Sequence, residues 1–290
     1  MGGGNSVKEI NKMAKIIGIT GGKGGTGKST VSTALAVELS KKYKTLLVDM
    51  DADCPDDHII MGIQRKKIKA IFQRIPKFDL NKCTKCGLCG TVCKTKAVVS
   101  IKGNYPIFMG QQCNGCGACF LKCPSKAISW KQKEIGWIFE GKKGSLDFLA
   151  GELKINEPVS EIVIDKLKGL LEKKKQDYDY ILIDTAAGTH CDVISALDYT
   201  DFAFAVTEPT PLGRHDVELI LKLLDMLKKE KKIILNRADI GDKKMIEKLA
   251  EKYKTKIAAE IPYSREVIKA YANALTIKNK AIQKIAKELE

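Results

Sequence analysis

The 290-residue chain is 44% hydrophobic and carries a formal net charge of +15. That size and apolar content allow a full core in one or two domains, and no apolar run approaches the ~20 residues that would span a bilayer. No signal-like apolar segment opens the chain, so a cytoplasmic protein is expected, and its ten cysteines point to metal rather than disulfides.

Residues 1–14 read as a flexible tail. An apolar run, Ile16–Thr20, predicts the first strand, and Ser29–Lys42 carries a helical pattern. Between them lies GGKGGTGKST, Gly21 to Thr30. The GxxxxGKS spacing from Gly22 to Ser29, placed between strand and helix, is that of a phosphate-binding loop. Gly22, Gly24, Gly25 and Gly27 keep Cβ atoms away, so backbone N–H groups, with those of Thr26 and Thr30, can turn toward one anion. Lys28 would reach the outer phosphates and the Ser29 hydroxyl would ligate Mg²⁺. Lys23 adds a second lysine. KGGTGKST resembles the deviant Walker A loop of the MinD, ParA, Mrp and nitrogenase-iron-protein ATPases. That resemblance implies ATP with Mg²⁺ as ligand and an ATP-dependent homodimer, with Lys23 crossing to the partner's nucleotide.

Thr45–Asp49 predicts the second strand, and its end carries Asp49 and Asp51. Ligands of open α/β sheets bind at that edge. The segment resembles the family's switch I, which implies a role for Asp51 in orienting the attacking water, with Asp49 nearer Mg²⁺. Asp53, Asp56 and Asp57 read as a solvated acidic loop. Cys54, isolated from other cysteines, reads as a small buried apolar side chain, as does Cys191. The alternative for that pair is a cluster bridging two subunits.

The strand–helix alternation breaks between about Lys77 and Lys133. Two similar halves follow one another at a spacing of 30 residues, KCTKCGLCGTVCKTKAVVS from Lys82 and QCNGCGACFLKCPSKAIS from Gln112. Cys83, Cys86, Cys89 and Cys93 form C-x₂-C-x₂-C-x₃-C, and Cys113, Cys116, Cys119 and Cys123 repeat it before Pro124. Such triple runs suit an iron–sulfur cluster better than zinc, which takes CxxC units across longer gaps. The insertion resembles the bacterial two-cluster ferredoxins. The match implies two [4Fe–4S] clusters, one held by Cys83, Cys86, Cys89 and Cys123, the other by Cys113, Cys116, Cys119 and Cys93. Lys94 stands where the family has proline. The insertion is also the basic part of the chain: residues 61–150 hold 17 basic and 4 acidic side chains, and residues 81–133 hold nine lysines and no acid. Gly136–Leu153 reads as a short hairpin leading back to the parent fold.

Further strands are predicted at Tyr180–Asp184, Phe202–Thr207, Lys232–Asn236 and Lys256–Glu260, with helices at Val159–Lys174, Gly213–Lys229, Lys243–Tyr253 and Asn279–Glu290. Asp184, ending its strand before Gly188, reads as the Walker B aspartate holding Mg²⁺ through water, with the Gly188 N–H sensing the terminal phosphate. The proline frequent in that segment is absent. Asn236 and Pro262 fall where the family approaches the adenine. His58, His190 and His215 read as structural or surface residues.

The expected fold is α/β, a doubly wound, mostly parallel P-loop sheet with an inserted small α+β bacterial-type ferredoxin domain. The division is 1–77, 78–133 and 134–290. The expected function is ATP hydrolysis coupled through a dimer switch to electron transfer by two clusters. The alternative is a scaffold that delivers clusters to apo-proteins, and a MinD-like positioning role is a third. The expected partner is an acidic ferredoxin-like redox protein or an apo iron–sulfur acceptor. Nucleic acid is not expected, for want of interleaved aromatics. Nor is a membrane, because the apolar face of the C-terminal helix suits packing on its own sheet.

Overall fold

The computed structural model describes residues 13–275 and 277–290. Most of the expected N-terminal tail lies outside them. Lys15–Thr20 (β1) leads through the glycine loop into Lys28–Leu39 (α1), and Thr45–Met50 (β2) into the short Asp57–Met61 (α2). After the insertion come Leu146–Leu153 (β7), Glu161–Lys174 (α5), Tyr180–Thr185 (β8), Cys191–Asp198 (α6), Phe202–Thr207 (β9) and Pro211–Met226 (α7). The chain closes with Glu230–Asn236 (β10), Lys244–Lys252 (α8), Ile257–Ile261 (β11), Arg265–Ala272 (α9) and Lys280–Leu289 (α10).

Two further strands, Lys66–Phe78 (β3) and Ile128–Lys143 (β6), complete a nine-stranded sheet of order β11-β10-β9-β1-β8-β2-β7-β6-β3. From β11 to β7 the neighbours are parallel, while β6 is antiparallel to both β7 and β3. The inner strands are buried along their whole length, as a sheet covered on both faces requires. One face packs Ile17, Ile19, Leu47, Leu182 and Phe204 against α1 and α10. Ile282, Ile285, Ala286 and Leu289 of α10 all enter that core, so its apolar face is spent on its own sheet.

The expected short hairpin at Gly136–Leu153 is larger than its sequence suggested. β6 runs for 16 residues and β7 for 8, and both belong to the central sheet. Beyond Gly136, where β6 leaves β7, the β3–β6 pair continues alone to Phe78 opposite Ile128. The insertion sits at the tip of this two-stranded arm. Its two halves fold alike: Leu88–Thr91 (α3) and Ala118–Leu121 (α4) are four-residue helices 30 residues apart, each preceded by a glycine in the left-handed region. Val98–Val99 (β4) pairs with Ile107–Phe108 (β5).

Candidate functional site: a nucleotide cleft and two thiol recesses

The glycine loop leaves the C-terminal end of β1, at the middle of the sheet. Two of its glycines are fixed by close approach. A Cβ on Gly22 would lie 2.3 Å from the Asp216 carbonyl oxygen, and one on Gly27, whose φ is +92°, would lie 2.3 Å from Asn236 Nδ2. Lys28 is buried, and its Nζ donates to the Lys23 carbonyl at 3.3 Å. Asn236 donates from Nδ2 to the Thr26 carbonyl at 2.8 Å, tying the end of β10 to the loop. These groups open onto a cleft of ≈ 430 Å³. Gly25, Gly27, Lys28, Ser29, Thr30, Asp56 and Asn236 form its polar end. Pro262, Tyr263, Tyr271 and Ile277 line its apolar end. Expected residues from three distant segments therefore meet in one cavity.

Gly22, Lys23, Gly24 and Thr26 stand beside the cleft rather than in its lining. Thr26 is buried, and Gly24 and Gly25 are exposed. Gly188 donates its N–H to the Gly21 carbonyl at 3.1 Å, a bond that would have to break before that N–H could meet a phosphate.

Beneath Lys28 lies a buried carboxylate group. Asp49 accepts from the Asp51 N–H at 3.1 Å and the Asp57 N–H at 3.2 Å. Asp51 accepts from the Cys54 N–H at 3.2 Å, which pins the loop after β2. Carboxylate oxygens of Asp49, Asp56 and Asp57 lie within 4.8 Å of one another. Both oxygens of Asp57 and one of Asp184 are buried without a hydrogen-bond partner. Burial, then the charge of Asp184, pushes Asp49 and Asp57 well above the usual carboxylate range. Burial likewise raises Asp184 to about 7 and pushes Asp51 upward. Orphaned hard oxygens facing one another fit a divalent cation of the Mg²⁺ type, which takes oxygen ligands.

The loop Asp53–Asp57 corrects the expectation of a solvated acidic stretch. Asp53 is exposed, Asp56 is half-buried at the cleft and Asp57 is fully buried. Sequence gave no signal for Asp57, because a buried aspartate among neighbouring aspartates looks like any solvated run. Cys54 and Cys191 are also corrected. Both thiols are exposed, so neither is a packed apolar group. They sit beside acidic residues, Cys54 near Asp51 and Asp56, Cys191 near Glu161.

In the insertion the eight remaining cysteines line two recesses. One gathers Cys83, Cys86, Cys89 and Cys123, the other Cys113, Cys116, Cys119 and Cys93. Each therefore takes three thiols from one run and the last from the other. The crossing thiols are held alike: Cys93 Sγ accepts from the Val98 N–H and Cys123 Sγ from the Ala127 N–H, both at 3.3 Å. Thr95 and Ser125 place hydroxyls 3.7 Å from the same two sulfurs. Burial raises the Cys119 thiol to about 11. Four thiolates drawn from two CxxCxxC runs are the donor set of a thiolate-bound metal centre.

A glycine loop at the strand end of a mostly parallel sheet, with its lysine buried over carboxylates, defines a P-loop nucleotide-binding protein of the α/β class. The chain belongs to the CobQ/CobB/MinD/ParA nucleotide-binding-domain family, which matches residues 17–277. It is 34% identical to an uncharacterized protein of Methanocaldococcus jannaschii over 88% of each chain. In fold it is similar to the cell division ATPase MinD of Pyrococcus furiosus (TM-score 0.60, 21% identity, 96% and 98% of the two chains). It is equally similar to the septum site-determining protein MinD of Pyrococcus horikoshii, solved with Mg-ADP (TM-score 0.60, 21% identity, 96% of each).

Proposed function

We propose that this chain is a Mg²⁺-dependent ATPase that couples a nucleotide-driven dimer switch to electron transfer through two [4Fe–4S] clusters. The observation that carries the proposal is the pair of crossed thiol quartets on a chain that also has a P-loop cleft. Triple CxxCxxC runs whose last thiol crosses to the other recess suit a polynuclear centre, and the Val98 and Ala127 N–H groups hold the crossing sulfurs of Cys93 and Cys123 in place. Bound clusters would supply one-electron chemistry, and the insertion's contribution is to hold and orient them. This reading makes the insertion a two-cluster ferredoxin-like domain.

At the cleft, Lys28 would exchange the Lys23 carbonyl for phosphate oxygens. Ser29, Asp49 and Asp184 would hold Mg²⁺, with the buried carboxyl of Asp57 beside them. Asp51 would orient the attacking water. Lys23, half-buried beside the exposed Gly24 and Gly25, would reach a second copy. Asn236 and Pro262 would flank the base. The Mg-ADP complex of the Pyrococcus horikoshii relative supports the choice of ligand.

The test is anaerobic purification followed by iron, sulfide and zinc analysis, with about eight irons per chain expected. Stoichiometric zinc would end the cluster reading. Incubation with ATP and an apo-acceptor separates electron transfer from delivery, since a carrier loses iron and a redox protein keeps it.

A further inference from the structure

The two thiol recesses face different surroundings. The recess of Cys113, Cys116 and Cys119 looks inward. Its Asn114 and Gly115 border a cleft of ≈ 520 Å³ shared with Gln73, Arg74 and, from α5, Ile162 and Lys166. Gln73, 3% exposed, donates from Nε2 to the Cys113 carbonyl at 3.1 Å, and Lys133 spans from the Gly110 carbonyl to Glu157.

The recess of Cys83, Cys86 and Cys89 looks outward and is walled by Ser100 and Pro106. Between these lies a loop folded over the Cys83–Cys89 run, with the Gly103 N–H on the Lys85 carbonyl at 2.8 Å. Its outer surface is apolar: Ile101 is 68% exposed, Ile107 66%, Tyr105 45% and Val99 41%. Val99 and Ile107 are cross-strand partners, so they share one side of the β4–β5 ribbon. Lys102 is exposed beside them, and Lys85 lies 4.3 Å over the Tyr105 ring.

The internal repeat indicates that this patch is not demanded by the folding of a cysteine half. Thirty residues on, the positions of Val99 and Ile101 are Ser129 and Lys131, in β6. The outer half alone has the apolar loop. An apolar centre ringed by one sign of charge, in a segment with no acid between residues 81 and 133, fits a protein of opposite charge.

We infer that an acidic electron-carrier protein docks on the surface of Val99, Ile101, Tyr105 and Ile107, flanked by Lys85 and Lys102. This rests on the cluster reading above and adds which end of the insertion meets the partner. Docking lets one electron cross, the donor oxidised and this chain reduced by the same one equivalent. The inner end, against α5, is left for exchange within the ATPase or with its second copy.

The experiment uses the anaerobically purified full chain and an acidic eight-iron ferredoxin. Affinity is measured by calorimetry across a salt series, and zero-length carbodiimide crosslinks are mapped by mass spectrometry. Lys85→Glu with Lys102→Glu is expected to weaken binding at low salt about tenfold or more, and Ile101→Ser with Ile107→Ser to weaken it several-fold at every salt concentration. Crosslinks are expected on Lys85 or Lys102. Arg74→Glu with Lys166→Glu should bind as the parent does. Unchanged affinity in both outer variants, a loss confined to the inner variant, or tighter binding of a single-stranded oligonucleotide at the same lysines would overturn the inference. Iron analysis of each sample separates the two failures. Zinc or no iron removes the cluster reading and this inference together, whereas eight irons with indifferent outer variants removes only the docking surface.

Discussion

Lys28 and Lys23 share one carbonyl contact, yet their substitutions should part company. Lys28→Ala removes the buried charge facing the cleft and should abolish nucleotide binding by titration calorimetry, while Lys23→Ala should retain it in the monomer and lose ATP-driven dimerisation in sedimentation. The carboxylates below give a pH prediction. The folded pKa of Asp184, about 7, lies above its unfolded value, so the stability tied to it is full below the unfolded pKa and is lost as pH rises through the folded one. Melting of the Mg²⁺-free chain should therefore fall as pH rises from about 4 to about 7, and saturating Mg²⁺ should flatten that slope; a slope indifferent to Mg²⁺ would contradict a cation site there. The exposed thiols give a count. Anaerobic protein should show two titratable cysteines, Cys54 and Cys191, reacting slowly because desolvation at Cys54 and the carboxylates beside both hold the thiols protonated, and all ten after iron is stripped in denaturant. Sequence made Lys28, Ser29, Asp49 and Asp184 legible because each stands at a fixed offset from a strand end. Asp57, Cys54 and Cys191 were not legible in this way. For Asp57 and Cys54 burial or exposure is decided by how the loop after β2 turns back under Asp49, through the Asp57 N–H, and for Cys191 by its place at the first position of α6; a linear pattern encodes neither.

The six strands from β1 to β11 that announced themselves carry largely apolar runs, with charge only near their ends, and all six form. β3 and β6 did not, for a physical reason. KKIKAIFQRIPKF alternates exposed cations and aromatics with a few buried positions, as expected of an edge ribbon that covers little core. Lys67 lies 3.7 Å over the Trp137 ring, so even its charged positions pack across the pair. The helix α10 was legible from its spacing, and its burial supplies a test. Ile285 is 1% exposed, so Ile285→Ala should cost about 2–5 kcal/mol in denaturant unfolding without changing iron content. A cost below about 0.5 kcal/mol, the level of an ordinary surface change, would mean that the helix is not docked on the sheet.

At the scale of the whole chain, the insertion and the ATPase body meet mainly through the arm. Phe78 and Ile128 face each other in register, so an Asn-Gly turn replacing residues 79–127 should close a continuous hairpin. That shortened protein should keep nucleotide binding and lose all iron; loss of folding would instead show that the body needs the insertion. The root of the arm is stitched to the acidic loop after β2. Leu153, at the end of β7, donates to the Ala52 carbonyl, one residue past Asp51, and Lys154 donates to the Ile135 carbonyl just beyond the point where β6 leaves β7. Mechanically this is a lever with a short input side and a long output side. Because Lys133 is also tied to Glu157, the part that extends past the body is the stretch from Ile128 to Gln132, ~16 Å at ~3.3 Å per residue, so a tilt of ~10° would carry the tip by ~3 Å. Electron tunnelling falls exponentially with separation. On the cluster reading proposed above, a displacement of that size would act as a distance-set gate, turned by a loop that moves far less than the thiols it positions.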